Sequence, residues 1–165
     1  MTRHSAEGDR RPPDTTGRYV VGLLFGLGDA GRVALIEKRR PAWMAGRLNG
    51  IGGKIEPGET ADQAMRREFR EEAGLDIEDW QPFLTLYDAQ LRWSVRFYRA
   101  HGDLALVRAL TDEKIVLAPI DPLPANVMPG MRWQIPLALY PYVRQEVHVI
   151  EEWAPSRAEA SEGRP

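Results

Sequence analysis

Strand-like segments arranged in pairs around one well-marked helix predict an α+β fold for this chain. Three observations carry that expectation. Apolar runs bounded by Gly, Asp and Pro recur along the chain. Residues 60–74 place apolar side chains at helical spacing between a capping signal and a glycine. A second helical segment lies close to the end, and no internal repeat is evident.

Taken in order, residues 1–17 are rich in Arg, Pro, Asp and Thr without apolar periodicity and read as a disordered tail. Residues 18–26 (RYVVGLLFG) and 32–38 (RVALIEK) read as two strands joined by a Gly-Asp-Ala-Gly turn. Residues 47–55 form a short strand with glycines. Pro57-Gly58 then turns the chain into a helix. Thr60 is its N-cap, Gln63 completes a capping box, and Gly74 ends it. Ala61, Ala64, Met65, Phe69 and Ala73 form its apolar stripe. Residues 80–88 and 91–100 make a further strand pair, with Arg92, Ser94, Arg96 and Tyr98 alternating with Trp93, Val95 and Phe97. Residues 115–120 are another strand. Residues 131–149 read as a closing helix, broken or kinked near Pro136 and Pro141, and residues 154–165 as a second disordered tail. One domain over 18–153 is expected.

Composition sets limits on function. At 165 residues the chain fits one domain with a real core. A net charge of −2 gives no general drive toward a nucleic-acid polymer or an anionic membrane. The chain has no cysteine, which excludes disulfides and thiolate chemistry and fits a reducing, cytoplasmic setting. His4, His101 and His148 are scattered and are expected to be structural. No signal peptide or membrane-length apolar run is visible.

The most specific stretch is residues 53–75, GKIEPGETADQAMRREFREEAGL. It follows a G-x5-E-x7-R-E-U-x-E-E-x-G-U pattern, in which Phe69 and Leu75 hold the apolar U positions. Gly53, Glu59, Arg67, Glu68, Glu71, Glu72 and Gly74 fill every fixed position. At ordinary residue usage such a match arises by chance on the order of once in 10⁸ windows. On a helical projection Glu68 and Glu72 point into the apolar stripe and Glu71 sits at its edge, while Gln63, Arg66, Arg67 and Arg70 fill the opposite face. Carboxylates aimed at a core face cost several kcal/mol each if unpaired, so positive charge belongs beside them. Arg67, at i,i+4 to Glu71, is one source. A hard cation is the other: oxygen ligands at i, i+3 and i+4, with no Cys and no nearby His, suit Mg²⁺ or Mn²⁺ and not zinc.

This stretch resembles the Nudix box. The resemblance sharpens the fold to an α/β/α sandwich with a central mixed sheet. It implies a Mg²⁺-dependent hydrolase of nucleoside diphosphates linked to another group, active on a small nucleotide and often dimeric. Within that family pattern Glu68, Glu71 and Glu72 are metal ligands and the backbone carbonyl near Gly52-Gly53 adds another. Glu59 stands at the mouth of the helix as a supporting ligand, and Arg67 orients the glutamates. The general base is a box glutamate or a carboxylate on a later loop, where Glu113, with Asp112 beside it, is the candidate.

Residues 38–54 are similar to the approach segment of the MutT-type triphosphatases, which cleave nucleoside triphosphates to monophosphate and pyrophosphate. The resemblance gives the Asn49 amide a contact with the base. Trp43 stands where an aromatic would stack on it, and Lys38, Arg39 or Arg40 would reach phosphates. Residues 111–137 resemble the oxidised-purine nucleoside triphosphatases in outline. Where those carry a tryptophan and an aspartate pair, this chain has Met128-Pro-Gly-Met131, so 8-oxoguanine specificity is not implied. The markers of ADP-ribose and dinucleoside polyphosphate hydrolases are not at their expected places. A nucleoside triphosphate is therefore the expected substrate, with ADP-ribose or a dinucleoside polyphosphate as the alternative. A nucleotide-sensing module without activity is the remaining class, and the complete box argues against it.

Overall fold

In the computed structural model, which describes residues 17–28, 31–143 and 145–151, a single mixed sheet lies between two helices. The elements are β1 (Gly17–Gly26), β2 (Arg32–Glu37), β3 (Leu48–Asn49), α1 (Ala61–Ala73), β4 (Gln81–Asp88), β5 (Trp93–Gly102), β6 (Lys114–Pro119), α2 (Met131–Leu139) and β7 (Val147–Glu151). The sheet order is β3-β2-β1-β5-β4-β7, with β6 on β2. β1 pairs in parallel with β5 over its whole length, from Gly17↔Trp93 to Gly26↔Gly102. β2 is antiparallel to both β1 and β6, and β4 is antiparallel to β5.

The period-2 alternation of β1 builds two cores. Val20 and Leu24 face one side, where they join Ala64, Met65, Phe69 and Ala73 of α1 with Trp80 and Tyr98. Val21, Leu23 and Phe25 face the other, with Phe83, Phe97 and Met131, Ile135 and Ala138 of α2. This is the expected α/β/α sandwich. Fully burying side chains such as Met65 and Phe69 contributes roughly 1.5–3 kcal/mol each, which fixes α1 against β1. The approach is close: a Cβ on Gly22 would stand 2.7 Å from Met65 Cε and 2.9 Å from the Trp80 ring.

Three expectations need correction. The closing helix stops at Leu139, three residues past Pro136 and two before Pro141, and does not run to 149. Val147–Glu151 instead forms β7, parallel to β4 from Leu84↔Val147 to Asp88↔Glu151. Glu146 leads into it and is held by Arg96 Nε and Nη2 at 2.9 and 2.8 Å, while Arg99 donates to the Ala138 and Val143 carbonyls at 2.6 and 3.0 Å. These charge-assisted bonds to β5 secure the turn between α2 and β7. The strand expected over 47–55 is regular only at Leu48–Asn49, beyond which single bridges join Ile51 to Gly22 and Lys54 to Tyr19. Tyr98, expected on the polar face of its strand, is fully buried, with its hydroxyl donating to Asp62 at 2.6 Å. The tails expected over 1–17 and 154–165 lie outside the described residues apart from Gly17, which opens β1. No helix among the described residues is long and apolar enough to cross a membrane.

Candidate active site

The start of α1 is fixed by the reciprocal capping box: Gln63 N–H donates to Thr60 Oγ1 at 3.2 Å, and Thr60 N–H to Gln63 Oε1 at 2.9 Å. Gly74 closes the helix in the left-handed conformation, φ 69°. With both ends set and the apolar stripe on the sheet, the rotation of the glutamates is determined. Residues 48–54 then pass beside them between the diverging ends of β1 and β2.

Two glycines permit that passage. Gly52 has φ +155°, and a Cβ there would collide with the Val20 carbonyl. A Cβ on Gly53 would lie 2.6 Å from the carboxylate of Glu68. Backbone alone therefore fits against the helix, and Gly52 N–H donates to Glu72 Oε2 at 3.3 Å. The Gly53 carbonyl, expected to face a cation, accepts from Val20 N–H at 2.9 Å with one of its lone pairs.

Arg67 does not occupy the face opposite the glutamates. It donates from Nε and Nη2 to both oxygens of Glu59 at 2.9 and 3.0 Å, and from Nη1 to Glu68 at 2.8 Å and Glu71 at 3.2 Å. Nη2 also reaches the Lys54 carbonyl at 3.0 Å. A long side chain two positions off the stripe can bend back to adjacent carboxylates, which a projection of Cβ directions does not show. The Arg67 hydrogen bond holds the Glu59 carboxyl below its ordinary range. Glu72 behaves oppositely. Burial pushes its carboxyl up to about 7, with Glu68 and Glu113 adding to the rise and Lys38 and the Gly52 N–H opposing it.

Glu113 approaches from the other side of the site. Its Oε2 accepts from Lys38 Nζ at 2.6 Å and its Oε1 from Arg39 N–H at 2.7 Å. Burial raises its carboxyl, but Lys38 and the Arg39 and Arg40 N–H groups outweigh that and hold it below the ordinary value. Arg39 also pairs with Asp112 at 3.2 Å. Lys38 and Arg39 are thus engaged with carboxylates in this structure. Trp43 stands in a 3-10 turn at Ala42–Met44 and is 68% exposed. Asn49 lies half-buried in β3, opposite Ile36 of β2.

The site therefore joins Gly53, Glu59, Arg67, Glu68, Glu71 and Glu72 from the two ends of the 52–74 stretch, with Lys38, Arg39 and Glu113 at its edge. Among the described residues, no hydrogen bond or ion pair ties Trp43 or Asn49 to these carboxylates. Among the described residues, no three Asp, Glu or His side chains stand together as a formed cation site; Glu59, Glu68 and Glu71 each pair with Arg67 instead. Asn126 was not foreseen. Its Nδ2 donates to the Gly46 carbonyl at 2.9 Å and its own carbonyl accepts from Leu48 N–H at 3.0 Å, which fixes the chain entering β3. Nothing local in its surrounding sequence signals that role.

Comparison with known proteins bears on the family and the fold. A NUDIX domain family model matches residues 17–122, more than half of the chain. Over 48 residues the chain is 52% identical to the oxidized purine nucleoside triphosphate hydrolase of Danio rerio, a match spanning 29% of this chain and 30% of that protein. The crystal structure of a MutT NUDIX hydrolase from Burkholderia pseudomallei is similar with a TM-score of 0.62, at 22% identity over 75% of this chain and 98% of that one. The NUDIX domain of Shewanella oneidensis NrtR, solved with ADP ribose, is similar at 0.62 with 17% identity, over 81% and 92%. At these identities the two structures speak for the fold. The family model, the complete box and the sandwich together make this chain a member of the Nudix hydrolase family.

Proposed function

We propose that the chain hydrolyses a phosphoanhydride bond of a nucleoside triphosphate, yielding the monophosphate and pyrophosphate, with Mg²⁺ or Mn²⁺ as cofactor. The observation that carries this is the packing of Glu68 and Glu72 against the Gly52-Gly53 backbone, where burial and carboxylate crowding push Glu72 up to about 7. Such a cluster is suited to a cation more than to the protein alone. The donors fit a hard divalent ion: Glu68, Glu71 and Glu72, the Gly53 carbonyl and, beside them, Glu59 are all oxygen ligands.

When bound, the ion neutralises phosphate oxygens and lowers the pKa of water. The chain's own residues supply the positioning. Arg67 ties Glu59, Glu68 and Glu71 to one guanidinium, and Glu68 and Glu71 would turn from it toward a bound cation while Glu59 keeps its two bonds to Arg67. Gly52 N–H holds one oxygen of Glu72 and leaves the other to act. The Asn49 amide offers a donor and an acceptor to a base edge, and exposed Trp43 offers a face for stacking.

A triphosphate is favoured by the local identity to a purine nucleoside triphosphate hydrolase and by Asn49 and Trp43. The likeness to a domain solved with ADP ribose supports ADP-ribose as the second reading. Incubation with ordinary and oxidised nucleoside triphosphates, ADP-ribose and diadenosine polyphosphates, with products separated by chromatography, decides between them. Monophosphate and pyrophosphate from a triphosphate are expected. Turnover of ADP-ribose alone would overturn the substrate assignment and leave the metal chemistry standing.

A further inference from the structure

We infer that Glu113 is a positioning residue: it clasps the 38–47 segment to the carboxylate helix and so sets how firmly the nucleotide's base is held. The kinetic part of this inference rests on the nucleotide-hydrolase reading above; the structural part does not.

The 38–47 segment closes on itself at its base. Lys38 N–H donates to the Arg47 carbonyl at 2.9 Å and Gly46 N–H to the Lys38 carbonyl at 2.8 Å. Its tip, Ala42–Met44, buries no residue and presents Trp43 to solvent. Only half-buried Met44 packs from the tip, so its orientation depends chiefly on polar ties at the two limbs. On the outgoing limb the ties are Lys38 Nζ and Arg39 N–H to the two oxygens of Glu113, with Arg39 to Asp112 beside them. On the returning limb Asn126 holds the Gly46 carbonyl.

The other end of the clasp is the helix. Arg108 N–H donates to the Ala73 carbonyl at 2.9 Å and Leu110 N–H to the Glu72 carbonyl at 3.0 Å. These bonds satisfy carbonyls that the end of α1 leaves without helical partners. The segment carrying Glu113 thus runs from the backbone of Glu72 to Lys38. Lys38 and Glu113 are only 18% and 12% exposed, so water competes weakly for their bond. With both oxygens already taken by donors, Glu113 is placed to hold a loop and not to take a proton from water.

The test compares wild type with Glu113→Gln, Lys38→Met and the double variant. Hydrogen–deuterium exchange of the 39–46 amides is read alongside KM and kcat for the triphosphate that turns over best. Each single change is expected to raise exchange and KM about tenfold, the loss of one charge-assisted bond, with the change in kcat smaller than the change in KM. The double variant should be no worse than either single one, because all three break the same bond. Unchanged exchange in the single variants would overturn the clasp. So would a kcat loss of about 10²–10⁴-fold confined to Glu113→Gln, which is the signature of a general base. Raised exchange in a protein that turns over no nucleotide would support the clasp while removing the substrate reading.

Discussion

Between residues 52 and 74 the contacts that set the geometry are close in sequence: Arg67 reaches Glu59, Glu68, Glu71 and the Lys54 carbonyl, and Gly52 reaches Glu72, 20 positions away. Between 38 and 47 the ties come from far along the chain, Glu113 at 75 positions from Lys38 and Asn126 at 80 from Gly46. The first region carries its carboxylates, their arginine and the glycines that let backbone approach within one contiguous stretch. The second is an exposed loop whose position is set by whatever lies opposite. On the proposed function, charge chemistry and substrate selection would rest on separable supports. Changes in 52–74 should act on kcat and metal affinity, and changes in 38–47 on KM.

Glu72→Gln gives the largest expected effect. It removes one carboxylate charge from the cluster while keeping its shape, and kcat should fall by about 10³-fold or more, with circular dichroism unchanged. Gly53→Ala follows, because its Cβ meets the Glu68 carboxylate. A displacement of that order should cost about 10²-fold in kcat and weaken Mn²⁺ binding measured by electron paramagnetic resonance. Trp43→Ala tests the other region: KM should rise about tenfold with kcat preserved, and Trp43→Phe should recover most of the loss. A fall in kcat without a change in KM would break the separation between the two regions.

The smallest effect distinguishes them by the sign of their pH dependence. The Glu72 carboxyl is raised by folding from 4.5 to about 7, so the folded state binds its proton more tightly, and its contribution to stability declines as pH rises through that window. The Glu113 carboxyl is lowered, so its contribution is present above 4.5 and lost as pH falls through its folded value. With divalent ions removed by EDTA, Glu72→Gln should therefore raise Tm by about 2–6 °C at pH 8 and leave it unchanged near pH 4.5. Glu113→Gln should lower Tm at pH 8. Thermal melts at the two pH values check both signs.

What could be read in the sequence follows the same division. The ends of α1 were legible because Thr60, Gln63 and Gly74 act within one turn, and its buried face because Ala64, Met65 and Phe69 recur at helical spacing. The Arg67–Glu71 pair was legible for the same reason, whereas the reach of Arg67 back to Glu59 depends on how residues 56–59 turn. Residues 147–149 read as helix from the sequence because the partner of β7, β4, lies far back in the chain and a parallel pairing leaves no local turn to announce it. The buried side of Tyr98 was hidden because both faces of β5 are covered, so alternation of polar and apolar residues no longer marks a solvent face. The ties of Lys38 to Glu113 and of Gly46 to Asn126 arise only once the chain is folded.

Hydrolysis of a nucleoside triphosphate across a Mg²⁺ titration, with wild type and Glu72→Gln side by side, addresses the central claim most directly. Turnover that rises with Mg²⁺, yields monophosphate and pyrophosphate, and is lost in the variant is the expected result. Turnover that is independent of the metal, or equal in the two proteins, would contradict the placing of the chemistry at the Gly53–Glu72 cluster.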